Sequence, residues 1–150
     1  MKLHFIWVGK TKNKHWRALQ EDYLKRLSHF TKFSITEIKD KAPHESLEIE
    51  GNRILAKLNH SSFVCLLDVR GSSLSSEKLA REIEKWQIRG LKEVTLIIGG
   101  AEGLSSAVLK RADYSLSLSF LTLTHEMARV VLIEQIYRAY TIIKGYPYQK

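Results

Sequence analysis

The chain reads as an α/β protein built on a parallel sheet, and three observations predict it. Apolar runs of strand length alternate with amphipathic segments of helix length along its 150 residues, which form one domain, residues 1–150. Two of the runs, residues 63–69 and 94–98, are nearly continuous in apolar side chains instead of alternating, the pattern of strands covered on both faces. The second run breaks into Gly99, Gly100 and Gly103 and then enters a helix-like segment. A strand that ends in such a turn delivers backbone to a ligand, because glycine permits close approach and positive φ.

The elements follow in order. Residues 3–8 read as a first strand, ended by Gly9-Lys10. Residues 12–30 read as a helix, with Trp16, Leu19, Tyr23 and Leu27 recurring at three- and four-residue spacing. Residues 33–38 read as a shorter strand, and residues 46–58, with Leu47, Ile54, Leu55 and Leu58, as a second amphipathic helix. The strand over 63–69 leads to a loop over 70–77, where Ser75 or Ser76 before glutamate signals a helix start. Leu79, Ile83 and Trp86 give that helix its buried face. After the strand over 94–98 come a short helix over 105–111, a fifth strand over 114–118 and a final helix over 124–144, with Gly145 in the position of a C-terminal cap.

Composition narrows the function. The net charge is +8, which suits a polyanionic partner. The single cysteine, Cys65, lies inside an apolar run, so no intrachain disulfide framework is available and a reducing compartment fits. The apolar start is too short for a secretory leader, and no stretch has the length of a membrane span; the expectation is a cytoplasmic protein without membrane attachment.

Several chemistries are disfavoured. Gly99-Gly100-Ala101-Glu102-Gly103 is neither a dinucleotide fingerprint nor a phosphate loop of the Gly-Lys-Ser/Thr kind. The six histidines lack paired-ligand spacing, so no metal site is expected. The serines of 72–76 do not form a nucleophile elbow. The last helix is apolar on much of its circumference and demands cover on more than one side, which favours packing on its own sheet and on a second subunit. His125 and Arg129 share a face of it, and Tyr137, Tyr140, Tyr146 and Tyr148 with Lys144 and Lys150 form a basic-aromatic end suited to stacking on RNA bases.

Together these segments resemble the ribosomal RNA large subunit methyltransferase H family, pseudouridine N3-methyltransferases of the SPOUT superfamily. The resemblance spans essentially the whole chain and is strongest in Leu67-Asp68-Val69-Arg70-Gly71, Ile98-Gly99-Gly100-Ala101-Glu102-Gly103-Leu104, Leu116-Ser117-Leu118-Ser119 through His125-Glu126-Met127-Ala128-Arg129, and Glu134-Gln135-Ile136-Tyr137-Arg138-Ala139. It implies a SPOUT-type α/β knot, a parallel sheet flanked by helices whose C-terminal segment makes a trefoil knot. It implies S-adenosylmethionine held by Leu67, Gly100, Ser119, Phe120, Leu121, Thr122, Leu123 and Thr124, and a homodimer with its pocket near the subunit interface. It implies methylation of N3 of a pseudouridine in 23S ribosomal RNA of the assembled ribosome. Arg129 would orient substrate or stabilise the developing anion, His125 would position substrate or aid proton transfer, and Tyr148 would hold the target base.

Two positions depart from the family pattern. Thr124 stands where the family has proline before the histidine, which predicts a less rigid loop. Gln149 stands where the family has histidine, and glutamine can recognise a base edge but cannot take its proton. Two other readings compete: a non-catalytic RNA-binding module for ribosome assembly, and a SPOUT methyltransferase acting on transfer RNA.

Overall fold

The computed structural model describes residues 1–148. Five strands, β1 (Lys2–Val8), β2 (Phe33–Ile38), β3 (Phe63–Ser73), β4 (Glu93–Ile98) and β5 (Tyr114–Ser117), alternate with five helices, α1 (Lys14–Leu27), α2 (Leu47–Leu55), α3 (Ser76–Ile88), α4 (Ser106–Arg111) and α5 (His125–Ile143). The strands are all parallel, in the order β2-β1-β4-β3-β5.

Successive side chains of the strands feed two cores. Leu3, Phe5 and Trp7 of β1, Cys65 of β3 and Val94, Leu96 and Ile98 of β4 face α1, α3 and α5. Ile6, Val8, Val64, Leu66 and Ile97 face α2 and α4. Burial on both faces is why these strands are apolar without alternation.

Helix starts follow local chemistry. Asn13 Oδ1 accepts from the His15 and Trp16 amides, and Ser75, not Ser76, caps α3 through the Lys78 amide. Gly145 ends α5 with φ +71°, as its position predicts.

Three sequence readings change. In α1 the buried positions are Gln20, Leu24 and Leu27, while Leu19 is exposed; the helix is rotated so that Gln20 Oε1 can accept the Thr11 hydroxyl, 2.8 Å away in the interior. The apolar girth of α5 is met largely within the chain, since α5 packs against both α1 and α3 as well as the sheet. The segment read as a loop from Arg70 instead continues β3 to Ser73. There Leu67 and Ser72 both pair with Leu116, so residues 68–71 bow out of the sheet and the strand resumes beyond them. Gly71 makes this possible: a Cβ there would lie 2.6 Å from the Ser115 carbonyl carbon and 2.7 Å from the Leu116 nitrogen.

Candidate active site

A cavity of about 490 Å³ opens beside the bow in β3 and beyond the C-terminal ends of β4 and β5, where open parallel sheets present ligands. Three segments wall it. Leu67, Asp68, Val69 and Arg70 come from the bowed part of β3, residues 98–104 from the turn after β4, and Leu118, Ser119, Leu121, Thr122 and Leu123 from the segment after β5. His125 and Ala128, on the first turns of α5, complete the lining.

The glycine turn sets the floor. Gly103 has φ +82°, and its amide donates to the Gly100 carbonyl at 3.0 Å. A Cβ on Gly100 would come 3.3 Å from Glu50 Oε1 and 3.4 Å from Val8 Cγ1, so a side chain there competes with the α2 carboxylate for space. Glu50 itself is buried and accepts from the Lys41 amide at 3.1 Å. Nearby, Lys41 pairs with Glu102 at 3.0 Å.

Charge enters through Asp68. Its carboxylate accepts from the Arg70 amide at 2.8 Å and from Arg70 Nε and Nη2 at 3.1 and 2.9 Å. The Arg70 guanidinium, and then its backbone amide, hold this carboxyl below the usual range, so the wall carries an Asp68–Arg70 ion pair at neutral pH. After β5, the Leu121 amide donates to Ser119 Oγ at 2.9 Å, and Ser117 Oγ donates to the Ser119 carbonyl at 3.3 Å; these short-range bonds shape the segment.

The anticipated cofactor residues separate into two groups. Leu67, Gly100, Ser119, Leu121, Thr122 and Leu123 line the cavity; Phe120 and Thr124 do not. Phe120 is 86% exposed. Thr124 is the N-cap of α5: its hydroxyl accepts from the Met127 amide at 3.4 Å, and its φ is −63°. Proline would impose nearly that φ, so the threonine keeps the backbone geometry and adds a cap.

The three residues assigned to chemistry lie in different places. His125 is at the cavity wall. Arg129 is 2% exposed and donates Nη2 to the Val8 carbonyl at 2.6 Å and Nη1 to the Thr11 hydroxyl at 2.9 Å, with its guanidinium 5.2 Å from the centre of the Trp7 ring. Burial pushes its pKa down, and Glu126, Glu37 and Asp40 oppose that shift. Tyr148 lies against α5 and α1, its hydroxyl 3.1 Å from Glu134 Oε1 and 3.4 Å from the Tyr23 hydroxyl, with Tyr137 and Arg138 over its ring. Burial, followed by the Tyr23 and Glu134 contacts, raises its pKa. Gln149 lies outside the described residues.

Sequence reasoning assigned no site role to Asp68, Ile98, Leu104 or Ala128. Ile98 is the last residue of β4, a position legible from the rule about strand ends. Asp68 sits near the end of the third strand as read from sequence, before a loop expected to face a ligand; the bow in β3, not a strand end, makes it a wall residue.

Comparison with known proteins agrees with this architecture. The family described as "Predicted SPOUT methyltransferase" matches residues 1–149. Proteins named ribosomal RNA large subunit methyltransferase H from Streptococcus pneumoniae, strains CGSP14 and serotype 4 TIGR4 among them, are 43% identical over 159 aligned positions, covering 100% of both chains. A solved structure, the tRNA (m1G37) methyltransferase of Aquifex aeolicus, superposes with a TM-score of 0.55 at 17% identity, covering 92% of this chain and 70% of that one, a likeness of fold. The chain belongs to the ribosomal RNA large subunit methyltransferase H family of SPOUT methyltransferases.

Proposed function

We propose that the protein is an S-adenosylmethionine-dependent methyltransferase of 23S ribosomal RNA, acting on N3 of a pseudouridine in the large subunit of the assembled ribosome. One observation carries the reading: the cavity is walled by the bowed part of β3 and by the segments after its neighbours β4 and β5, with the unsubstituted Gly100 backbone at its floor. Its size falls within the range of about 300–1,000 Å³ usual for small-ligand sites. The donor set suits the cofactor. Leu67, Leu118 and Leu123 offer apolar walls, the segment 119–124 offers backbone groups, and the Asp68–Arg70 pair offers both a carboxylate and a guanidinium to the polar parts of the ligand. In this reading the chain works as a single domain in the cytoplasm, with a trefoil knot closed by the segment around β5 and α5.

The residues would divide the work as follows. S-adenosylmethionine, when bound, supplies an electrophilic methyl carbon. Gly100, Leu67 and residues 119–124 would fix its orientation, and orientation is a large share of catalysis when the electrophile is already activated. N3 of pseudouridine carries a proton that must leave, and the His125 imidazole at the cavity wall would hold or accept it. Arg129, engaged with Val8 and Thr11, would position the end of β1 beside that wall. Tyr148 does not line the cavity of its own chain, so its grip on a target base would need a second copy. Phe120 and Leu121, 86% and 77% exposed beside the cavity, are the kind of apolar surface a homodimer would cover.

Calorimetric titration with S-adenosylmethionine tests the cofactor, with Gly100→Arg as the control. Binding by the wild type alone, followed by methyl transfer to ribosomes that contain the pseudouridine but not to ribosomes lacking it, is the expected result. A folded wild type that binds no cofactor would sink the enzyme reading in favour of an RNA-binding module. Methyl transfer to free transfer RNA instead would overturn the ribosomal assignment.

A further inference from the structure

The loop between β1 and α1 carries Lys10, Lys12 and, as the first residue of α1, Lys14. All three are exposed, and none has an ion-pair partner among the described residues. Like charges so closely spaced repel one another, and an unrestrained loop would spread them.

This loop is restrained, chiefly from the far end of the sequence. The Glu126 carboxylate accepts from the Lys12 amide and from the Asn13 amide at 3.2 Å. Arg129 donates to Val8 and Thr11 at the other end of the loop. Arg17 donates Nη2 back to the Thr11 carbonyl at 2.7 Å. Two carboxylates lie close, and neither neutralises a lysine: Glu126 is committed to backbone amides, and Asp40 sits against Gly9. The restraining helix is the one whose first residue, His125, lines the cavity. The lysines therefore stand on a fixed backbone at the same C-terminal end of the parallel strands as the site.

We infer that Lys10, Lys12 and Lys14 form a phosphate-docking loop that holds the RNA backbone while the target base enters the cavity. This rests on the ribosomal RNA reading above and names where that substrate is held. Lysine contacts to phosphate set position and register without reading sequence, which fits a loop of lysines on fixed main chain. An acidic protein surface would be the other occupant of such a loop; the cavity at the same end of the sheet, which the reading above gives to the cofactor and the entering base, favours nucleic acid.

The test measures binding to assembled ribosomes over a salt series for the wild type, for K10A/K12A/K14A, and for K57A/K78A/K92A, which removes the same charge from exposed lysines elsewhere. The loop variant should bind at least about 10-fold more weakly, with a slope of log affinity against log salt shallower by about 2–3. Its S-adenosylmethionine affinity should be unchanged, and the second variant should stay near wild type. Equal losses in both variants would assign the effect to net charge and overturn the loop. Unchanged binding by the loop variant, beside a wild type that methylates ribosomes, would overturn the docking assignment and leave the RNA reading standing. A wild type that neither binds nor methylates ribosomes would reject the RNA reading, and the loop with it. A photoreactive thiol label at Lys12→Cys should crosslink to ribosomal RNA, Cys65 being buried and silent; crosslinking to ribosomal protein would overturn the inference.

Discussion

Arg129 shows how one buried charge can organise a site without touching it. Its two donor nitrogens satisfy the Val8 carbonyl and the Thr11 hydroxyl, so Arg129→Met leaves both without that partner in the interior. The Thr11 hydroxyl keeps Gln20, so the expected loss is about 1–3 kcal/mol, the cost of stranding the Val8 carbonyl. Thermal unfolding should show it as a fall of about 2–12 °C, at roughly 2–4 °C per kcal/mol for a chain of this size. Thr124 leads to a contrasting expectation. Thr124→Ala forfeits the cap at a cost of about 1 kcal/mol. Thr124→Pro should stay within about 1 kcal/mol of wild type, because φ is already −63° and the stiffer unfolded chain offsets the lost hydroxyl. A much larger loss for proline would refute this account of the departure from the family pattern.

At the scale of elements, the bow in β3 is the decisive feature. It turns Asp68 and Arg70 into cavity wall, and it depends on the bare α-carbon of Gly71 against β5. Gly71→Ala should destabilise by about 1–3 kcal/mol through overpacking and weaken cofactor binding together with stability. Gly90→Ala, at φ +74° with open space around it, should cost only about 1–2 kcal/mol and leave cofactor binding alone. The segment before α2 supplies a pH dependence. Glu45 accepts from Arg53 at 2.8 Å and from the Ala42 amide at 3.0 Å, and these bonds, Arg53 foremost, lower its pKa from 4.5 to about 2. A carboxyl depressed in the folded state adds stability above its unfolded pKa and loses it as pH falls towards the folded one. Glu45→Gln should therefore lower stability in the neutral range, flatten the unfolding profile between about pH 4.5 and 2, and converge on the wild type in stronger acid; an unaltered acid limb would disprove the assignment. Most strands and helices were legible because burial on both faces writes long apolar runs. The rotation of α1 was not, because a buried Gln20 reads as a surface residue until its Thr11 partner, nine residues earlier, is seen beside it. The continuation of β3 was hidden for a related reason: Arg70-Gly71-Ser72-Ser73 has loop composition, and only the packing of β5 makes it strand.

For the whole molecule, the cavity was legible from the rule that ligands sit beyond parallel strand ends, and six of the eight expected cofactor residues line it. Arg129 and Tyr148 were placed by shared helix faces and tail composition, which say nothing about which way a side chain turns among its neighbours. If Tyr148 serves a second copy, Tyr148→Ala should slow ribosome methylation at least about 10-fold with S-adenosylmethionine affinity unchanged, and mixing it with Gly100→Arg should restore activity through hybrid dimers. No restoration would confine Tyr148 to its own chain.

The tie between Glu126 and Asn13 spans 113 residues. Closing a loop of that length costs on the order of 4 kcal/mol in chain entropy before any contact within it repays the cost, and such long-range closure slows folding. While the chain is being made, the stretch from β1 to β4 can collapse on its apolar strands, yet the β1–α1 loop lacks its Glu126 and Arg129 restraints until α5 arrives. The cavity is thus completed last, once synthesis has passed the residues of α5 that both wall it and fasten the β1–α1 loop.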